Sequence, residues 1–216
     1  MREYLKSKYD KVIATNEYIV AEGAIPAALV AHLDTVGPVP PQDIFYDNKK
    51  NVMWSPQLLG ADDRAGIYAA IEIIERGYRP HIIFTTDEEI GCVGAFTLVQ
   101  NHPNLPFEEC KVLIQLDRQG KSDCVFYDCN NKEFKRFVKY YGFKEQSGSF
   151  SDISILAPNW GVAAVNLSVG YYLEHTNAEY LRCNELEKTI EKVTMMLEDI
   201  EFDIIPFYCY INLLIL

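Results

Sequence analysis

The stretch HIIFTTDEEIG, residues 81–91, decides the fold class. It begins as a short unbroken apolar run, the pattern of a strand covered on both faces rather than of one with a wet side. It ends on three consecutive carboxylates, Asp87, Glu88 and Glu89, followed by a glycine. Downstream, KVLIQL (111–116) repeats the apolar run and ends in Asp117, after a helix predicted near 91–100. Upstream, residues 62–76 place Ile67, Ala70, Ile71 and Ile74 at three- and four-residue spacing, the period of a helix with one buried face, closed by Gly77.

The alternation continues in both directions. Strands are predicted at 11–22 and 27–33, separated by Gly-Ala-Ile-Pro turn chemistry and followed by a proline-rich loop at 37–41. A strand at 124–127, a helix from 131 to 141 and an apolar run at 162–169 come later. In the last helix Leu186, Ile190, Val193, Leu197 and Ile200 form the buried stripe, and Thr176-x-x-Glu179 has the form of a capping box at its start. Together these predict an α/β chain: a single three-layer domain over residues 1–216, with a mostly parallel mixed central sheet and helices on both faces.

Composition narrows the function classes. With 49% hydrophobic and 24% charged residues, the chain is that of a packed globular protein. Its 20 Lys and Arg against 31 Asp and Glu give a net charge of -11, which repels phosphate backbones and anionic lipid, so neither nucleic acid nor a membrane is an expected partner. The six cysteines form no C-x-x-C pair and no disulfide framework. MREYLKSKYDKVIA at the start has no apolar stretch with a cleavage site, so a reducing, cytoplasmic setting is expected. The apolar tract IIPFYCYINLLIL (204–216) falls short of the roughly 20 residues a membrane helix needs and reads first as a core strand or a subunit contact, which leaves a homo-oligomer open, with a membrane-associated segment as the alternative.

In α/β sheets ligands collect beyond the carboxyl ends of the strands. His32 and Asp34 lie at one such end and, two residues apart, point to the same side, so one suits a metal and the other the orienting of its partner. Asp62 opens a helix, where an ordinary N-cap is the bland alternative. The acidic triplet alone would pass for a solvated turn. Asp117 and His175 also stand where a strand gives way to a loop, and so many reactive groups at strand ends point to one site.

Five ordered motifs, AHLDTV (31–36), GADDRAG (60–66), TTDEEIGCVGA (85–95), LD (116–117) and GYYLEHT (170–176), resemble those of the co-catalytic dinuclear zinc peptidases, a group that includes peptidase T, carboxypeptidase G and the zinc aminopeptidases. The resemblance covers roughly residues 28–182 and implies a zinc-exopeptidase-like fold. It makes His32 and Asp117 ligands of one ion, Glu89 and His175 ligands of the other, and Asp62 the bridge. Glu88 becomes the general base, and Asp34 the residue that holds the His32 ring. Two divalent ions, three carboxylates and a bridging hydroxide form a neutral cluster that can be buried. Imidazole and carboxylate ligands suit zinc, with manganese or cobalt as substitutes.

The implied activity is metal-dependent hydrolysis of an amide bond, first as an aminopeptidase-type exopeptidase on short peptides. A deacylase of N-acyl amino acids or small amides uses the same chemistry, and a non-catalytic binding module could retain the fold. Only 57 residues separate Asp117 from His175, so the inserted dimerisation domain of peptidase T and carboxypeptidase G is not expected. Among secondary candidates, Ser151-Asp152 suits either the orienting of a substrate amine or a helix cap. Tyr171 and Tyr172 suit pocket lining or packing. Asp63 and Asp87 read as local hydrogen-bond acceptors, His81 and His102 as structural, and Cys92 as buried beside the site.

Overall fold

A computed structural model describes residues 1–37 and 40–202. Helix α1 (Arg2–Lys6) precedes strands β1 (Lys11–Ala14), β2 (Tyr18–Glu22) and β3 (Ile25–His32). A hairpin of β4 (Phe45–Asp47) and β5 (Val52–Trp54) leads into α2 (Ala61–Glu75), β6 (Pro80–Thr85), α3 (Val93–Asn101) and β7 (Val112–Arg118). Then come β8 (Asp123–Val125), α4 (Lys132–Tyr140), β9 (Lys144–Glu145), α5 (Ile153–Trp160), β10 (Ala164–Ser168), β11 (Tyr171–Tyr172), β12 (Tyr180–Arg182) and α6 (Cys183–Glu201).

The main sheet has the order β1-β2-β6-β3-β7-β10-β8-β9. Its centre, β6-β3-β7-β10, is parallel, and antiparallel pairs β2-β6 and β10-β8 flank it. All six residues of β6 are buried, and successive side chains enter opposite core clusters: Ile82 and Phe84 on one face, Ile83 on the other. Residues of α1, α2, α4 and α6 cover the first face, and residues of α3 and α5 the second. The expected three-layer α/β architecture is therefore present. No helix among the described residues is long and apolar enough to cross a membrane, and the tract 204–216 lies outside the described residues.

Three local expectations change. The predicted strand 11–22 is a hairpin, because the Thr15 hydroxyl oxygen accepts from the backbone N–H groups of Glu17 and Tyr18 and turns the chain. A second small sheet, β11-β12-β5-β4, is built from strands of two or three residues, too short to show a period. Helix α6 starts at Cys183, so Thr176 and Glu179 cap nothing: they close a turn ahead of β12, and the Glu179 carboxylate is engaged elsewhere.

Candidate metal centre

His32 is the last residue of β3. Its Nδ1 lies 3.3 Å from Asp34 Oδ1, and its Nε2 lies 3.0 Å from Asp62 Oδ1 and 3.5 Å from Asp117 Oδ1. The Asp34 carboxylate also accepts the backbone N–H groups of Glu88 and Glu89, each at 3.2 Å. One carboxylate thus fixes the His32 ring and the acidic loop together.

Asp62 and Asp63 stand at the start of α2, joined by a cis peptide. Buried Asp63 accepts the N–H groups of His32 at 3.1 Å and Gly66 at 3.0 Å, tying β3 to α2. A Cβ on Gly66 would sit 1.9 Å from the Leu116 carbonyl oxygen, so only glycine lets α2 approach β7 closely enough to bring Asp62 beside Asp117. Asp117 is itself surrounded by donors: Gln115 Nε2 at 3.1 Å, the Ser151 hydroxyl at 2.9 Å and the Tyr171 hydroxyl at 3.2 Å. Asn166 holds its backbone, accepting from the Asp117 N–H at 2.9 Å and donating to the Asp117 carbonyl at 2.8 Å.

On the other side His175 Nε2 lies 2.9 Å from Glu89 Oε1 and 3.2 Å from Asp62 Oδ2. Two sets of ligand atoms result, His32/Asp62/Asp117 and Asp62/Glu89/His175, each with all atoms within 4.8 Å of one another. Asp62 belongs to both, one oxygen facing each histidine. An imidazole with two carboxylates is a donor set that zinc, manganese or cobalt accepts, so the residues fit two divalent ions.

The electrostatics describe a site short of positive charge. Burial opposes charging His32, yet hydrogen bonds to Asp117, Asp34 and Asp62 prevail and raise it well above the usual range. His175 is pushed up to about 9 by its hydrogen bond to Asp62, against some burial. Asp62 is held low despite burial, through His175 and His32. Burial, then the charge of Asp117, pushes Glu88 up to about 8. Cations placed in the two sets would take over the role of the histidine protons and release them.

A cavity of about 350 Å³ opens over these groups, lined by Asp62, Glu88, Glu89, Asp117, Tyr171 and His175 among others. A neighbouring apolar cavity of about 370 Å³, between β5, α2 and α6, holds no such convergence of ligand atoms. All seven primary residues read from the sequence, His32, Asp34, Asp62, Glu88, Glu89, Asp117 and His175, come together. Tyr171 lines the cavity, whereas Tyr172 stacks on Tyr180 and donates to Glu185. Ser151 bonds Asp117, and Asp152 is wholly buried, its Oδ2 accepting from the Thr85 hydroxyl and making no cap bond. Both hydrogen-bond inward, and neither lines the cavity where a substrate amine would lie. Cys92 is buried with its Sγ 3.7 Å from Glu88 Oε1, as expected.

Sequence reasoning missed Glu179, Gln115 and Asn166. Glu179, 1% exposed, accepts from the N–H groups of Gly60 and Asp62, the latter at 3.1 Å, and so holds the backbone of the shared ligand. Gln115 and Asn166 did leave a signal, since each is an amide with buried apolar neighbours on both sides in its strand.

The sequence pattern of peptidase family M28 matches residues 21–147, more than half of the chain and four of its five motifs. The chain belongs to peptidase family M28. It is therefore a member of a family that hydrolyses peptide bonds, as the resemblance implied. No curated protein matches it. Its fold is similar to a tripeptidase from Staphylococcus aureus subsp. aureus Mu50 (TM-score 0.72, 14% identity, covering 94% of this chain and 92% of that one). It is also similar to aminopeptidase PepT from Bacillus cereus ATCC 10987 (0.67, 16%, 92% and 92%). A third similar structure is the TET1 peptidase of Pyrococcus horikoshii, described as assembling into a tetrahedron or a large octahedral shell (0.62, 16%, 91% and 92%). At such low identity these likenesses show the fold alone.

Proposed function

We propose that this M28 member is a cytoplasmic, dinuclear aminopeptidase that removes residues from short peptides, with zinc as its metal. The observation that carries the reading is the pair of ligand sets sharing Asp62, with Glu88 beside them in one cavity. The tripeptidase and aminopeptidase names of the similar structures support the substrate class, and the free state of all five described cysteines supports a reducing compartment. Self-association is part of the proposal, supported by the assembly described for the Pyrococcus chain.

His32 and Asp117 would hold one ion, Glu89 and His175 the other, and Asp62 both. When bound, the ions supply Lewis acidity toward the scissile carbonyl and a lowered pKa for the attacking water. Glu88 accepts the proton of that water on a carboxylate oxygen and passes it to the leaving amine. Burial supplies Glu88 with proton affinity that a solvated glutamate lacks, and the cations moderate it. Asp34 keeps His32 in register and, through the N–H groups of Glu88 and Glu89, keeps base and ligand at a fixed spacing.

Metal analysis and turnover of Glu88→Gln test this together. About two ions per chain are expected in both the wild type and the variant, with kcat on a leucyl dipeptide reduced by roughly 10²- to 10⁴-fold in the variant. Full activity in Glu88→Gln would remove Glu88 from the role of base. Folded wild type that takes up no zinc would sink the hydrolase reading.

A further inference from the structure

Arg118 ends β7, one residue beyond Asp117, and lines the carboxylate cavity. Among the described residues lining it, Arg118 is the one permanent cation; the acids there are Asp62, Glu88, Glu89, Asp117 and Glu174. The ion pairs of the site are all made by His32 and His175, and Arg118 joins none of them. Its Nε is buried without a hydrogen-bond partner among the described residues, and Glu174 is occupied by the Gln119 amide at 2.7 Å. A buried guanidinium N–H left unpaired beside so many carboxylates is out of keeping with a structural counter-ion, which would be hydrogen-bonded to one of them.

The cavity volume lies at the low end for small-ligand sites, so a peptide bound there has its ends inside or close to the cavity. With Asp62, Glu89 and Asp117 neutralised by the ions they would hold, Glu88 and Glu174 remain as acids around the cavity, and a substrate carboxylate entering beside them needs a cation to meet. We propose that Arg118 sets substrate specificity by receiving a substrate carboxylate on its guanidinium group. That carboxylate is either the C-terminus of a dipeptide or tripeptide or the side chain of an acidic residue. The planar fork of arginine suits a carboxylate better than the point charge of lysine. This inference rests on the peptidase reading for where the scissile bond lies, but the contact itself does not require turnover.

Two matched pairs of ligands test it: Leu-Gly against Leu-Gly amide, and Glu-Gly amide against Gln-Gly amide. Dissociation constants are measured by calorimetry on zinc-loaded protein in a Glu88→Gln background, and KM in the otherwise unmodified enzyme, each with Arg118, Arg118→Gln and Arg118→Lys. The carboxylate member of one pair is expected to bind about tenfold to a hundredfold more tightly, a preference that Arg118→Gln abolishes and Arg118→Lys keeps in part. A response in the first pair assigns the C-terminus, and one in the second the side chain. Equal affinity within both pairs, a preference that survives Arg118→Gln, or a loss shared equally by acid and amide would each overturn the proposal. Absent hydrolysis with the binding preference intact would sink the peptidase reading and leave the Arg118 contact standing.

Discussion

His32 and Asp117 stand at the ends of two adjacent strands, β3 and β7, whereas Glu89 and His175 stand on loops. The strand half is sealed, with side-chain exposures of 1% for His32 and 8% for Asp117. In the loop half Glu89 is covered, but His175 is 46% exposed and sits at a φ of 63°, in the left-handed region. The core that folds the sheet also places the strand half, and three donors to the Asp117 carboxylate and two hydrogen bonds of Asn166 to the Asp117 backbone lock it. The loop half has fewer anchors: the grip of Asp34 on the Glu88 and Glu89 N–H groups, and the contact of His175 with Asp62 and Glu89. One half is thus set before any ion arrives, while the other is completed by what binds between its carboxylates and its histidine.

The largest effect is expected where the halves meet. Asp62→Ala removes a ligand from both sets, so elemental analysis of the folded variant should find neither ion, with hydrolysis at background. A single ion still held tightly would mean that the strand half works without the shared carboxylate, and the comparison would need redrawing. Next comes His175→Ala, which touches only the loop half. About one ion per chain should remain, with thermal stability little changed because the side chain is half exposed, and in the wild type a chelator should strip the ions in two steps. Loss of both ions in one step would show the halves to be a single cooperative unit.

The strand half was also the legible half. A buried apolar run announces a strand, the strand's carboxyl end announces a site, and His32 of AHLD and Asp117 of KVLIQLD stand there without any knowledge of tertiary contacts, as on the loop side do the acids that follow HIIFTT. His175 stood out only as one more histidine where a strand gives way to a loop, and its role as a ligand came from the order of the five motifs, because nothing local distinguishes it from a turn histidine. Thr176-x-x-Glu179 misled for a related reason. The pattern suits a helix start, but the Glu179 carboxylate takes donors from Gly60 and Asp62, more than a hundred residues earlier, and a local reading cannot see such a partner.

That misreading yields a third, smaller prediction. Glu179 spans the halves, since it follows His175 in sequence and grips the backbone of Asp62 in space. Glu179→Gln turns one acceptor oxygen into a donor facing a backbone N–H, and ion retention should weaken by about 10- to 100-fold, the usual effect of losing a residue that holds a ligand in place. Competition with a graded chelator measures this. Unchanged retention alongside a lowered melting temperature would reduce Glu179 to a packing residue.

The smallest effect comes from a control at the opposite end of the same sheet. His81 is as buried as His32, at 2% exposure, but it stands near the start of β6, away from the carboxyl ends. Its Nδ1 accepts the Gly23 N–H at 3.1 Å, so the proton resides on Nε2, which donates to the Glu109 carbonyl at 2.6 Å. It also stacks on Phe107. No carboxylate holds its proton, and burial lowers its pKa where the carboxylates raise that of His32. The unfolded chain, with a histidine pKa of about 6.5, therefore binds a proton that the native chain refuses. Stability is unaffected above that value and declines as pH falls from about 6.5 toward the depressed native value, by at most about 1.4 kcal/mol per pH unit for one group. His81→Gln cannot titrate, so the difference in denaturant stability between wild type and variant should tilt against the wild type below pH of about 6.5 and level off above it. Parallel curves across that range would mean that His81 titrates alike in both states, and that burial alone does not separate the two ends of the sheet.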